Sequence, residues 1–76
     1  MTITHGEAEH ASQPDLLDCL ATRRLFGGIH ASTLYRGIAA GRYPRPVHVG
    51  PNTSRWLRSE CEAALAAMIE ARRAQQ

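Results

Sequence analysis

Two prolines two residues apart, in Arg42-Tyr43-Pro44-Arg45-Pro46, cut this chain into unlike halves. Each proline fixes its own φ, removes a backbone donor and pushes the residue before it out of the helical region. The segment must therefore run extended, and neither a helix nor a central strand can cross it. Gly27-Gly28 makes a second break upstream. The sequence is left with a short element before Gly27, another between Gly28 and Gly41, and a different kind of structure after Pro46.

The first element lies between Asp15 and Phe26, and two registers compete for it. Asp18 as N-cap puts Cys19, Thr22 and Phe26 on one face, whereas a start at Asp15 groups Leu16, Leu20 and Arg23. The second helix begins at His30 or Ala31 and is closed by Gly41 as its C′ residue. At about 100° per residue, Leu34 and Ile38 share a face with Ala31, and Tyr35 lies at its edge. Ser32, Thr33, Arg36, Ala39 and Ala40 point the other way. An ordinary solvated face carries long charged side chains. This one carries small groups, two hydroxyls and one arginine, a shape suited to close approach. Gly37 in mid-helix costs ~1 kcal/mol relative to Ala and marks a site of close backbone approach.

Beyond the prolines, Val47-His48-Val49 alternates as a short strand, Gly50-Pro51-Asn52-Thr53 is a turn, and Ser54–Arg58 is the return strand. The last helix starts with Ser59 and Glu62 in capping-box spacing. Cys61, Ala64, Leu65, Met68 and Ile69 then form one apolar stripe. The stripe is longer than a small domain covers, so its outer end is either a candidate self-association surface or a fraying helix end. The fold class expected is mainly α with a two-stranded β-hairpin. Residues 1–14 read as an acidic, disordered tail and residues 15–76 as one domain. A chain of 76 residues buries only ~60% of its unfolded surface and is marginal alone.

Charge is unevenly spread. Residues 1–18 carry −4 and residues 60–76 carry −1, while residues 19–59 hold seven arginines and no carboxylate. An acid-free stretch of 41 residues with seven cations is a basic field aimed at a polyanion. There is no lysine, so every cation is a planar fork suited to phosphates and guanine edges. The longest apolar run, Ala63–Ile69, is too short to span a bilayer, and no signal-peptide pattern opens the chain. Two cysteines exclude a disulfide-dense scaffold. A cytoplasmic, nucleoid-associated protein without membrane contact is expected.

Two short helices across a glycine turn, then a hairpin, then a helix, make the layout of a winged helix-turn-helix. Gly28-Ile29-His30-Ala31-Ser32-Thr33-Leu34-Tyr35-Arg36 resembles the turn and recognition helix of AlpA-type regulators and phage excisionases, small relatives of the MerR-like winged helix proteins. Gly41-Arg42-Tyr43-Pro44-Arg45-Pro46-Val47 resembles their link into the wing, and Trp56 with Arg58-Ser59-Glu60 resembles their post-wing tryptophan and next helix start. The likeness covers about residues 17–69. It implies a DNA-binding protein of a mobile element, acting as a transcriptional regulator or as a recombination directionality factor beside a site-specific integrase. By position, Ser32, Thr33 and Arg36 fall on the groove side of the recognition helix, and Asn52–Arg55 fall at the neighbouring minor groove.

The residues support the same roles independently. Arg36 can fork onto guanine O6 and N7, a contact that discriminates by ~1–3 kcal/mol. Ser32 and Thr33 suit phosphate or base-edge hydrogen bonds. Arg42, Arg45, Arg55 and Arg58, with Asn52 and Thr53 at the hairpin tip, are placed to hold phosphates. Neutralising four to six phosphates predicts a log–log salt slope of roughly −4 to −5. Arg23 and Arg24 either touch backbone or are solvated. Trp56 is expected in the core rather than as a stacking platform, and Tyr35 and Tyr43 are expected to be mainly structural, with their hydroxyls within reach of a phosphate. Cys19 and Cys61 read as buried thiols. No histidine or cysteine spacing suits a metal, and no catalytic residue or cofactor is expected. A module this small buries little surface on DNA, so a homo-oligomer on repeated sites is expected. The rival is a protein-interaction module that docks the last helix's stripe and offers its basic surface to an acidic partner.

Overall fold

The computed structural model describes residues 15–75, so the expected tail at 1–14 lies outside the described residues. The chain is mainly helical, with three helices and a three-stranded antiparallel sheet, in the order β1 (Leu16–Leu17), α1 (Cys19–Leu25), α2 (Ala31–Ala39), β2 (Val47–Gly50), β3 (Thr53–Leu57) and α3 (Arg58–Ala74). The hairpin β2–β3 forms as the turn chemistry directs, but a third strand joins it. Leu16 pairs with Leu57 and Leu17 with Trp56, giving the sheet order β1-β3-β2. Two residues are too few to announce a strand by alternation, so this pairing was not legible beforehand. Its ladder is extended by the Arg58 N–H, which donates to the Asp15 carbonyl at 2.9 Å.

The strand settles the register of α1. Asp15 lies before β1, and Asp18 caps α1, accepting from the Ala21 N–H at 2.8 Å. Both short helices then stop in the same way. After α1, the N–H groups of Gly27 and Gly28 donate to the carbonyls of Arg24 and Arg23. After α2, those of Gly41 and Arg42 donate to Ile38 and Gly37. Each is a Schellman closure, and Gly27 and Gly41 take the positive φ it requires, at 94° and 81°.

Trp56, Leu34 and Cys61 are fully buried and, with Leu17, form the core; Phe26, Ile29, Ile38 and Tyr43 are among the side chains packed on it. The Trp56 Nε1–H donates to the Pro44 carbonyl at 3.1 Å, so the proline segment is tied to the sheet. Tyr43 packs against Phe26 in a tilted arrangement, with ring centroids 4.5 Å apart and planes at 44°. The same ring lies over Gly37, where a Cβ would overlap its Cδ2 and Cε2 atoms. The close approach expected at Gly37 is therefore made by the Tyr43 ring. Thr22 is also fully buried, and its hydroxyl donates to the Asp18 carbonyl at 2.8 Å.

Three local expectations are corrected. The return strand is Thr53–Leu57, and Arg58 belongs to α3. The Ser59–Glu62 capping box does not form, because α3 starts one residue before Ser59, with Leu57 at the cap position and no side-chain cap bond. Continuity from β3 straight into α3 leaves Ser59 inside the first turn. Ala31 is exposed rather than on the buried face of α2, which is formed by Leu34 and Gly37 with Ile38 half-buried.

Candidate nucleic-acid interface

The turn at Gly27-Gly28 brings α2 back across α1 with its small-residue face outward. Ser32 and Arg36 are exposed, as are Ala31, Ala39 and Ala40. Thr33 is half-buried and stands at the margin of this face, because the buried side of α2 is centred nearer Gly37 than Ala31. Tyr35 takes the vacated place. It is 48% exposed, beside Ser32 and Arg36, with its ring edge-on to Trp56 at a centroid distance of 6.2 Å. Burial pushes the Tyr35 hydroxyl above the usual tyrosine range, and the Cys19 thiol beside it pushes the same way. Tyr35 thus combines a packing contact with Trp56 and an exposed side, as its position at the edge of the apolar face implies.

The hairpin tip is shaped by Pro51 and Asn52. Proline fixes the first corner, and Asn52 tolerates the left-handed φ of 57° at the second. Thr53 is half-buried, and its hydroxyl donates to the Pro51 carbonyl at 3.0 Å, so it braces the turn. Asn52 is exposed. A β-bulge between His48 and Gly50 adds local twist to the hairpin. A cleft of about 360 Å³ separates the tip from the helices; Tyr35 and Cys19 line it on one side, Asn52, Ser54 and Arg55 on the other. Of α2, Tyr35 borders this cleft, which continues onto the start of α1 at Asp18, Cys19 and Leu20.

The arginines divide by their commitments. Arg24, Arg36, Arg42 and Arg45 are exposed and form no ion pair among the described residues. Arg55 is half-buried beside the cleft, its Nη1 donating to the Ser54 carbonyl at 2.8 Å. Arg58 is diverted: its guanidinium pairs with the Asp15 carboxylate, which weakens its claim to a phosphate. Arg23 is half-buried and engaged within the chain. Its Nε donates at 2.8 Å to the Ile29 carbonyl and so clamps the turn between α1 and α2.

Comparisons with protein-family models, with curated proteins and with solved structures give no match. Among the described residues, no group of three or more His, Cys, Asp or Glu side chains could hold a metal ion. Among the described residues, every buried side-chain nitrogen or oxygen has a hydrogen-bond partner. Cys61 is buried and Cys19 half-buried. Burial pushes the Cys61 thiol up, Glu60 and Glu62 add to this, and Arg58 opposes it. No helix among the described residues is long and apolar enough to cross a membrane.

Proposed function

We propose that this protein binds double-stranded DNA sequence-specifically as a winged helix-turn-helix, with α2 in the major groove and the β2–β3 hairpin as the wing alongside. The observation that carries the reading is the exposed face of α2, where Ser32 and Arg36 stand among alanines, while Tyr35 on the same helix lines the cleft that borders the hairpin tip. Short side chains let the helix backbone sit close to base edges, and Arg36, which forms no ion pair among the described residues, is available for bidentate readout of guanine. Arg42, Arg45 and Arg55, with Asn52 at the tip, supply the phosphate contacts that fix register without reading sequence. The positive field of residues 19–59 draws the protein to the duplex. The likeness to AlpA-type regulators and phage excisionases adds the biological setting: control of a mobile element's promoter or of its excision, alongside a site-specific integrase.

A salt-titrated gel shift tests this, using the neighbouring promoter and attachment-site duplexes with wild type and Arg36→Ala. Expected is a preference among sequences that Arg36→Ala removes while non-specific binding persists. Absence of affinity for any duplex in dilute buffer overturns the reading. Uniform weakening by Arg36→Ala moves that residue from base readout to phosphate contact.

A further inference from the structure

α3 buries only Cys61 fully, and Ala64, Leu65 and Met68 are half-covered. About a quarter-turn around the helix from Cys61 runs a second strip, made of Glu62, Leu65, Ala66, Ile69 and Arg73 at spacings of three and four residues. Glu62, Ala66 and Arg73 are exposed, and Ile69 is 47% exposed, the largest apolar side chain open to water on this helix. The strip has a direction. An acid stands at its N-terminal end, a base at its C-terminal end, and a small residue one turn before a large one in between.

We propose that this strip pairs with the same strip of a second copy, the two α3 helices running antiparallel. Reversing one copy so that Ala66 faces Ile69 of the second copy also sets Glu62 opposite Arg73, since both pairs share one midpoint along the helix. The two-fold axis repeats each contact, giving two Ala–Ile interlocks and two ion pairs. Ala66 allows the helices to approach closely enough for Ile69 to be covered. The acid-to-base polarity selects a second copy over an unrelated helix, because any partner must present the same charges in reverse. The contact within the chain between Arg73 and Glu70, at 3.3 Å with both side chains largely exposed, holds Arg73 only weakly. One short strip gives a weak dimer in solution. Its consequence for DNA rests on the function proposed above: a two-fold pair favours inverted half-sites, whereas a head-to-tail array favours direct repeats.

Sedimentation equilibrium of the full chain without DNA, from micromolar to millimolar concentration, tests the pairing. Expected is a reversible monomer–dimer equilibrium that Ile69→Asp abolishes. Glu62→Arg or Arg73→Glu alone should weaken it about tenfold, because each creates two like-charge pairs. The double reversal should restore it to within about threefold. All three positions are exposed, and circular dichroism of each variant verifies the fold. A monomer at every concentration, growth beyond dimers, or failure of the double reversal to recover the dimer overturns the proposal. Loss of DNA affinity with the dimer intact would count against the DNA-binding reading alone.

Discussion

Replacing Gly37 with alanine sets two effects of known size against each other. In a solvated helix interior the change stabilises by ~1 kcal/mol, because glycine loses more backbone freedom on folding. Here the new Cβ would overlap two ring atoms of Tyr43 and sit 3.3 Å from its Cγ. The ring is not free to swing away. Phe26 packs against it at 4.5 Å, and the Tyr43 N–H donates to the Gly37 carbonyl at 3.3 Å. Forcing a carbon into such a contact costs ~1–3 kcal/mol. Steric cost at the middle of that range exceeds the propensity gain, so a net loss of about 1 kcal/mol is expected. For a domain of this size the melting temperature should fall by about 4–8 °C. Thermal unfolding followed by circular dichroism reads it directly. A Tyr43→Leu background should remove most of the penalty, so the pair should show a coupling energy in a double-mutant cycle. An alanine variant that melts above wild type would refute the argument, since only the propensity term would then be acting.

Four other outcomes are expected. Trp56→Phe should cost ~2–3 kcal/mol in urea unfolding, because the Pro44 carbonyl loses its donor and the core loses volume; a neutral result would mean that the proline segment is held elsewhere. The Cys61 contribution to stability should be fully present below the ordinary thiol value of 9.0 and be lost as pH rises past it, because the folded state raises the Cys61 pKa and so holds its proton more tightly than the unfolded chain; Tyr35, raised in the same sense, adds a loss of its own at higher pH. Cys61→Ala should flatten that decline. Cys19 should react with a thiol reagent in the native protein while Cys61 waits for unfolding; equal rates would contradict their burial. Arg55→Ala should make the log–log salt dependence of DNA binding shallower by about 0.9, while Arg58→Ala should change it less because Asp15 already engages that side chain.

Much of the fold was legible because the punctuation is strong. Gly27, Gly41, Pro44 and Pro46 impose their own geometry whatever surrounds them, and the observed helices and hairpin fall between them. Burial of Trp56 followed from a small chain having few large apolar groups to cover. What escaped depends on partners distant in sequence. β1 exists because Leu57 and Trp56 are there to pair with, and Arg58 meets Asp15 only because that strand exists. The rotation of α2 that exposes Tyr35 and draws in Thr33 is set by the Tyr43 ring resting on Gly37, which periodicity within α2 cannot report. Arg23 was left open because its acceptor, the Ile29 carbonyl, appears only once the turn has closed.

The bond from Trp56 to Pro44 has a mechanical meaning. It fastens the connecting segment to the middle strand at one end, while Tyr43 bolts the same segment to α2 at the other. Helix and hairpin are thereby joined as two prongs of a stiff calliper whose gap is set before any ligand arrives. On the DNA-binding reading proposed above, a duplex that does not match the gap would have to flex to be gripped, so sequences that bend readily would be held more tightly even where no side chain reads their bases.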